Sequence, residues 1–274
     1  METRRPERIA LLGAEVDLIT PQEVMEALAG FVASGQPAVI ANHNAHSLYL
    51  LRREPHLPAF FRTADLIEID SRPMILWGRL LGLPVHGRHR CTYLDWREDF
   101  WSLAERKGWR VFYLGGAPGV AESGAERLRL RWPGLELAVR HGYFDARAES
   151  EENLDVVAQI RAYDPHVVLV GMGMPRQEAW IHQNRTAFRR GVFMPVGAAL
   201  DYEAGVQSMA PRWLGPVGLE WLYRLATQPR RLAFRYLVEP WFLLPAMARD
   251  VAARLKGRRG PASARAVGAA NGRR

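Results

Sequence analysis

The chain has 274 residues, with 37 Lys and Arg against 29 Asp and Glu, which gives a formal net charge of +8. The excess is unevenly distributed: residues 1–211 hold 24 basic and 26 acidic residues, whereas residues 212–274 hold 13 and 3. The body is therefore slightly acidic, which argues against a nucleic-acid binder that is basic throughout. The single cysteine, Cys91, excludes an intrachain disulfide and a cysteine-based metal cluster.

We expect neither a targeting signal nor a membrane-spanning anchor from this sequence. No apolar run follows the charges at the N-terminus, so we expect no secretory signal. The longest late apolar stretch, Pro240 to Ala248, is too short for a bilayer span, which needs about 20 residues. The scarcity of cysteine fits a reducing compartment. We therefore expect a cytoplasmic location.

Strand and helix patterns alternate along the body. In chain order the patterns predict helix Pro21–Ala33, strand Ala38–Ala41, helix Ala45–Arg53, strand Leu66–Ile69, helices Met74–Leu81 and Thr92–Arg106, strand Val111–Leu114, helix Val120–Arg131, strand Leu135–Val139, helix Glu151–Ala162, strand Val167–Val170, helix Arg176–Phe188 and strand Val192–Val196. This alternation predicts an α/β, Rossmann-like fold with a mostly parallel sheet flanked by helices. Ligands bind beyond the carboxyl ends of such strands, so the loops that follow strands are the candidate site.

The composition changes after residue 210. Aromatic residues there alternate with arginines, and Pro229 and Pro240 divide the segment into short helices. We predict an α/β domain over residues 1–210, a C-terminal amphipathic helical appendage over 211–255 and a disordered basic tail over 256–274. Two interpretations of the appendage stay open: an interfacial membrane helix, or helices packed on the domain with a solvated basic face.

Two glycine-containing loops follow predicted strands. Glycine lets a phosphate approach the backbone, and the helix that follows supplies free N–H groups at its N-terminus. An arginine there suits a diphosphate, and a glutamine can contact a uracil or ribose edge. The first loop alone is more typical of a plain strand–turn–helix connection, but two such loops favour a nucleotide site. The residues are Gly115, Gly116 and Pro118 in the first loop and Gly171, Gly173, Pro175, Arg176 and Gln177 in the second.

Polar side chains follow two further predicted strands. Asp70 comes directly after Leu66–Ile69, where a carboxylate can deprotonate a sugar hydroxyl. It can equally be a solvated residue or cap the next helix. Asn42 and Asn44 follow Ala38–Ala41 and suggest ligand contacts, although Asx turns and helix capping explain them equally well. Glu68 and Asp70 share one strand face, but no further carboxylate completes a metal site.

Taken together, these motifs resemble the WecG/TagA/CpsF family of bacterial glycosyltransferases (glycosyltransferase family 26). The resemblance runs from about Ile9 to Val238, nearly the whole ordered part of the chain. The stretches that carry it are Ala64 to Asp70, Phe112 to Ala121, His141 to Phe144, Val170 to Glu178, Val196 to Asp201, Ala210 to Trp213 and Gly218 to Leu225.

The resemblance implies an activity and a set of partners. It implies the inverting transfer of a sugar, an N-acetylmannosamine type or a related hexose, from a UDP-sugar to a polyprenyl-diphosphate-linked saccharide. Such transfer serves teichoic acid, capsule or exopolysaccharide biosynthesis, with the enzyme bound peripherally to the anionic inner face of the cell membrane. Homo-oligomer formation is left open, and nucleic acid is not an expected partner.

The same resemblance assigns roles to residues. It implies Asp70 as the general base, with Asn42 and Arg90 near the reaction centre and Gln177 at the nucleotide. The basic appendage residues Arg224, Arg231 and Arg235 are implied to dock on the membrane and complete the active site. The remaining substrate contacts are expected from Asn44, Thr92, Gly115, Gly116, Pro118, Gly171, Gly173, Pro175, Arg176 and Asp201.

Three departures from the family pattern surround the sugar and acceptor side. Asp70 is followed by Ser71-Arg72-Pro73 where the family has Gly-x-Gly, Asn42 stands where the family has Thr, and Thr92-Tyr93-Leu94-Asp95 replaces Thr-Gly-Ser-Asp. The UDP-side motifs are nearly intact. We therefore expect a UDP donor, while the sugar and the acceptor can differ from those of the best-known members.

The leaving diphosphate needs positive charge from a metal or from arginines and helix ends. Because no convincing set of metal carboxylates is present, we expect no metal or other cofactor, with Arg90, Arg176 and the appendage arginines in that role. The alternative function is a non-catalytic nucleotide-sugar or nucleic-acid binding module, in which the change after Asp70 marks lost activity. A Rossmann-type oxidoreductase is disfavoured by the incomplete glycine fingerprint.

Overall fold

A computed structural model describes residues 6–208 and 220–259 of the chain. It begins with an antiparallel hairpin of β1 (Glu7–Leu11) and β2 (Ala14–Leu18). Neither strand was predicted, because each segment has only five residues and is too short to show a clear pattern. The Ala210 to Trp213 stretch, the start of the Gly218 to Leu225 stretch and the tail beyond residue 259 lie outside the described residues.

The six predicted strands form one sheet in which every pairing is parallel. The strands are β3 (Ala38–His43), β4 (Leu66–Ile69), β5 (Val111–Gly115), β6 (Leu137–Arg140), β7 (Val167–Gly171) and β8 (Val192–Pro195), in the spatial order β4-β3-β8-β7-β5-β6. The predicted Rossmann-like α/β fold is thereby confirmed. Two boundaries differ from the prediction by two residues: β3 ends at His43 rather than at Ala41, and β6 begins at Leu137 rather than at Leu135.

Helices cover the sheet. They are α1 (Pro21–Ser34), α2 (Ala45–Leu50), α3 (Leu57–Arg62), α4 (Arg72–Leu80), α5 (Tyr93–Lys107), α6 (Val120–Arg131), α7 (Glu151–Tyr163), α8 (Arg176–Asn184) and α9 (Ala199–Glu203). The predicted end of the second helix at Arg53 was wrong, and so was the end of the α8 helix at Phe188, since α8 stops at Asn184 and a 3-10 turn follows. The short helices α3 and α9 were not predicted.

Alternate residues of each strand enter two cores, one on each face of the sheet. Phe112 and Leu114 pack into the core that includes α7 and α8, whereas Val111 and Tyr113 pack into the core that includes α1, α5 and α6. Burial on both faces explains why the strands read as continuous apolar runs in the sequence. It also leaves the strand ends as the place where polar side chains can gather.

Three helices and a 3-10 turn form the C-terminal segment. They are α10 (Glu220–Thr227), α11 (Pro229–Leu237), the 3-10 turn Glu239–Leu243 and α12 (Leu244–Arg259). Pro229 lies in the first turn of α11 and Pro240 in the 3-10 turn, as predicted. α12 continues to Arg259, so the start of the predicted disordered tail at Lys256 is helical. None of the helices described is both long and apolar enough for a membrane crossing.

The C-terminal segment packs on the α/β domain. Glu239 pairs with His46 of α2 at 2.7 Å, and Asp250 of α12 accepts hydrogen bonds from Leu12 N and Trp77 Nε1, both at 2.9 Å. Ala246 of α12 is fully buried in the core of the α/β domain. The packed-helix interpretation of this segment is therefore correct for its second half, while other parts of it keep large apolar side chains exposed. These include Trp221, Leu237 and Trp241.

Candidate active site

A cavity of about 660 Å³ lies at the carboxyl ends of the strands. Residues directly after each of the six strands contribute to its wall, among them Asn44, Asp70, Gly116, Gly142, Gly173 and Gly197. The C-terminal segment contributes Leu232, Phe234, Arg235 and Glu239. Its volume lies within the range of about 300–1,000 Å³ that is usual for small-molecule sites.

The structure brings most of the predicted site residues to this cavity. Arg90 is not part of this wall: its backbone bridges to Ile69, next to Asp70, while its side chain lines a neighbouring cleft with Arg72 and its Nη2 pairs with Asp95 Oδ1 at 3.0 Å. Gly115, Pro118 and Pro175 do not line the cavity, and the side chains of Arg224 and Arg231 lie outside the described part of the chain. The predicted residues in the wall are Asn42, Asn44, Asp70, Thr92, Gly116, Gly171, Gly173, Arg176, Gln177, Asp201 and Arg235.

Asp70 lies where the sequence predicts a reactive carboxylate. Its backbone N–H donates to the His43 carbonyl at 2.8 Å, which continues the β3–β4 pairing and fixes Asp70 at the mouth of the sheet. The N-cap of α4 is Ser71, so the capping interpretation of Asp70 was wrong. Its side chain is partly exposed and lines the cavity.

The two asparagines have structural partners in the cavity wall. Asn44 caps α2, with its Oδ1 accepting from Ser47 N at 3.0 Å and from Arg235 Nη2 at 3.4 Å. Asn42 Nδ2 donates to the Pro195 carbonyl at 2.7 Å. The capping interpretation is thus correct for Asn44, and its contact with Arg235 brings the C-terminal segment to the same place.

The glycine loops are shaped by close backbone approach as well as by turns. A Cβ atom on Gly115 would overlap the backbone of Gly171, and one on Gly171 would overlap the Tyr113 hydroxyl and the Gly197 carbonyl. Gly116 and Gly173 have φ values of 69° and 80°, in the left-handed region that glycine adopts without strain. The loops after β5, β7 and β8 are therefore in contact with one another at the cavity.

Gln177 holds two of these loops together. Its Oε1 accepts hydrogen bonds from Gly173 N at 3.1 Å and Gly197 N at 3.2 Å, and its Nε2 donates to Glu178 Oε1 at 2.8 Å. Both side chains are buried, and burial raises the pKa of Glu178 to about 7. The sequence predicted that Gln177 contacts a nucleotide; the structure shows that its amide is engaged by the protein.

Three ionisable groups of the wall, Arg176, His46 and Glu68, differ in their surroundings. Arg176 Nη2 donates to the Phe144 carbonyl, and its guanidinium lies 5.4 Å from the centre of the Phe144 ring. His46 bonds to Glu239, and burial is the main cause of a lowered His46 pKa. Glu68 lies below Asp70 in β4, and burial, followed by the charges of Asp70 and Asp95, raises its pKa well above the ordinary value.

Several wall residues were not predicted. Tyr93 and Trp96 lie on the first turn of α5, directly after the predicted Thr92, and helical spacing could have suggested them. Leu232, Phe234 and Glu239 reach the cavity only because the C-terminal segment folds back, which no local pattern shows. Among the described residues, no group of three or more His, Cys, Asp or Glu side chains is arranged to hold a metal ion.

An all-parallel sheet with a polar cavity at its carboxyl edge defines a Rossmann-like α/β protein with a ligand site at the usual place. The family model described as glycosyl transferase WecG/TagA/CpsF family matches residues 9–257, and the chain belongs to this family of glycosyltransferases.

The chain is also similar to curated proteins from Staphylococcus aureus. In the strains NCTC 8325, COL and N315 the similar protein is an N-acetylglucosaminyldiphosphoundecaprenol N-acetyl-beta-D-mannosaminyltransferase. Each is 26% identical over 235 residues, which cover 82% of this chain and 87% of the relative.

Proposed function

We propose that this glycosyltransferase moves an N-acetylmannosamine-type sugar or a related hexose from a UDP-sugar to a polyprenyl-diphosphate-linked saccharide. The name of the Staphylococcus aureus relatives specifies a lipid-diphosphate acceptor and the transfer of an N-acetylmannosaminyl group, which supports the acceptor class. The observation that carries the proposal is the cavity itself, which joins the Asp70 carboxylate to two glycine loops at helix N-termini.

The spacing of the strands leaves room for a UDP-sugar along the cavity. Three strand intervals separate β4, which presents Asp70, from β7, which presents Gly173. At about 4.8 Å per interval this is about 14 Å, which allows a sugar at one end and a nucleoside at the other with the diphosphate between them. Arg176 and the N-termini of α6 and α8 lie at the nucleotide end.

The chemistry follows from these positions. Asp70 removes the proton of the acceptor hydroxyl while its oxygen forms a bond to C1 of the donor sugar. The bond from C1 to the diphosphate oxygen breaks on the opposite face, UDP leaves, and the configuration at C1 is inverted. Arg176, backbone N–H groups and Arg235 stabilise the charge that develops on the diphosphate. In this proposal no metal ion is required.

The exposed apolar residues of the C-terminal segment support a peripheral membrane location. Trp221 and Trp241 expose 44% and 69% of their surface, and the segment is rich in arginine. Aromatic rings at headgroup depth and arginines near lipid phosphates are typical of interfacial helices. We propose that this segment lies on the anionic inner face of the cell membrane, where a polyprenyl-linked acceptor is accessible.

Replacement of Asp70 tests the function directly. In Asp70→Asn we expect UDP release in the presence of a polyprenyl-diphosphate-N-acetylglucosamine acceptor to fall by about 10²–10⁴-fold, because the amide cannot accept the proton. UDP binding, measured by calorimetry, should be retained. Asp155→Asn, an exposed residue of α7 outside the cavity wall, is the matched control and should keep full activity.

Undiminished transfer by Asp70→Asn would remove Asp70 as the base. If the unaltered chain binds UDP-sugars but transfers none of them, with or without divalent metal, the non-catalytic binding module replaces this proposal.

A further inference from the structure

Two buried polar groups in the cavity wall have no hydrogen-bond partner within the described chain. They are Glu68 Oε1 and Trp96 Nε1. The exposed fraction of Glu68 is 3% and that of Trp96 is 2%, so bulk water does not solvate either side chain. An unpaired polar atom in such a place costs stability, and its presence needs a reason.

Glu68 lies close to Asp70, and Trp96 lines the same cavity. Glu68 and Asp70 are two residues apart at the end of β4, so their side chains share one face of the sheet. Trp96 lies on the buried face of α5, the helix that follows Thr92. All four residues contribute to the same cavity wall.

Neighbouring polar groups already have partners of their own. Asn42, which lies opposite Glu68 in the β3–β4 register, donates to the Pro195 carbonyl. The Cys91 thiol, in the same wall, donates to the Ile19 carbonyl at 3.3 Å, and burial raises its pKa. Neither group therefore completes the bonding of Glu68 or Trp96.

The two groups define the chemistry of their partner. A buried carboxyl that holds its proton donates through its O–H and accepts through its C=O, whereas the indole N–H only donates. The raised pKa of Glu68 supports the protonated form. An anion would be repelled by Asp70 and Asp95 nearby, so the fitting partner is an uncharged oxygen, such as a sugar hydroxyl or an acetamido carbonyl.

We propose that Glu68 and Trp96 form a sugar-recognition subsite at the floor of the cavity, which binds a hydroxyl or acetamido oxygen of the sugar beside Asp70. This inference rests on the proposed function and adds the residues that select the sugar. The partner oxygen belongs either to the transferred sugar or to the acceptor sugar, and the experiment separates these two sources.

Variants that remove only the unpaired atoms test the subsite. In Trp96→Phe and Glu68→Met we expect KM to rise about tenfold for one substrate, because a buried hydrogen bond to the sugar is lost. Glu68→Gln, which still donates and accepts, should keep KM within about threefold of the original value. The substrates varied are the UDP-sugar and polyprenyl-diphosphate-N-acetylglucosamine, with UDP release as the readout.

Stability separates recognition from packing. Glu68→Met should be at least as stable to urea as the unaltered chain, since it removes an unsatisfied buried carboxyl oxygen. Trp96→Phe should lose only the stability that the smaller ring costs, because no hydrogen bond is broken. The matched control is Trp180→Phe: the Trp180 indole donates to Asn153 Oδ1 at 2.8 Å and lies outside the cavity wall. This control should lose stability and leave both KM values unchanged.

A rise in the donor KM assigns the subsite to the transferred sugar, and a rise in the acceptor KM assigns it to the acceptor; either result supports the proposal. Unchanged values for both substrates in active variants would overturn the subsite while leaving the proposed function intact. Absence of transfer by the unaltered chain would overturn the proposed function, and the subsite with it.

Discussion

Glu178 shows how a buried carboxyl can organise a site without touching its ligand. It accepts from Gln177 Nε2, which leaves Gln177 Oε1 facing the N–H groups of Gly173 and Gly197. This orientation of the amide ties the loop after β7 to the loop after β8. Glu178 is therefore a positioning residue for the cavity wall.

The raised pKa of Glu178, about 7 against an ordinary value of 4.5, makes stability depend on pH. Between these values the unfolded chain has lost the proton and the folded chain keeps it, so the free energy of unfolding falls as pH rises from about 4.5 to about 7. In Glu178→Gln this fall in the free energy of unfolding is absent, because the amide does not titrate. We expect the variant to gain up to about 3 kcal/mol over the unaltered chain between pH 5 and pH 8.

Urea denaturation of both proteins at the two pH values measures this gain. Other groups titrate equally in both proteins and cancel in the difference. A difference that does not change with pH would show that Glu178 is ionised in the folded protein over the whole range.

The location of a residue could be predicted from the sequence where its position relative to a strand determines its surroundings. Asp70 comes directly after a continuous apolar strand, so its place at the sheet edge follows from the sequence. The engagement of Gln177 could not be predicted, because its partners Gly173 and Gly197 come from two different loops. Arg90, expected near the reaction centre, has its backbone bridged to Ile69 beside Asp70, while its side chain pairs with Asp95 in the neighbouring cleft.

At the scale of the elements, the ends of β5, β7 and β8 approach one another closely because glycines stand at the contact points. Gly171 is the tightest position, because a Cβ atom there meets both the Tyr113 hydroxyl and the Gly197 carbonyl. Backbone groups on one side leave little freedom to relax. This close approach is what allows three strand ends to form one continuous cavity wall.

Gly171→Ala should therefore destabilise the fold by about 1–3 kcal/mol, since a methyl group is forced into a filled space. Gly30 in α1 provides the matched control: a Cβ atom there meets nothing within 4 Å, and its backbone is helical. Gly30→Ala should stabilise the fold by about 0.5–1 kcal/mol. Both changes are measured by urea denaturation, and equal effects of the two substitutions would contradict the packing argument.

Elements were predictable when their pattern was long or fully apolar. β5 and β7 are buried on both faces, and their sequences are continuous apolar runs. β1 and β2 were missed because their charged residues, such as Arg8 and Asp17, interrupt the pattern and are paired only through tertiary contact. α9 was missed because five residues are too few to show a helical period.

At the scale of the whole molecule, one C-terminal segment contributes to the cavity and also carries exposed apolar residues. Leu232 and Arg235 line the cavity, while Leu237 and Trp241 expose 55% and 69% of their surface. The charge distribution and aromatic content of this segment were visible in the sequence. Its return to the cavity was implied only by the family resemblance, because no local pattern shows contacts between residues about 190 positions apart, such as His46 with Glu239.

Membrane binding tests this division of roles. The double variant Leu237→Ser, Trp241→Ser should bind vesicles of anionic phospholipid at least tenfold more weakly, because two apolar side chains no longer enter the interface. Co-sedimentation measures the bound fraction. Leu130→Ser removes a more exposed leucine, 84% accessible, from α6 of the α/β domain and should bind as before. Equal binding by the unaltered chain, the double variant and Leu130→Ser would show that the membrane contact lies elsewhere.

The small N-terminal hairpin also protects the edge of the sheet at β4. β4 is the outermost strand of the sheet, and its outward Ile67 N–H donates to Asp17 Oδ2 at 2.7 Å; Arg8 in turn holds the same carboxylate at 2.8 Å. An edge strand with free N–H groups can pair with the edge of another molecule and start aggregation. The Asp17 carboxylate occupies this donor, so the edge nearest Asp70 is closed to strand addition.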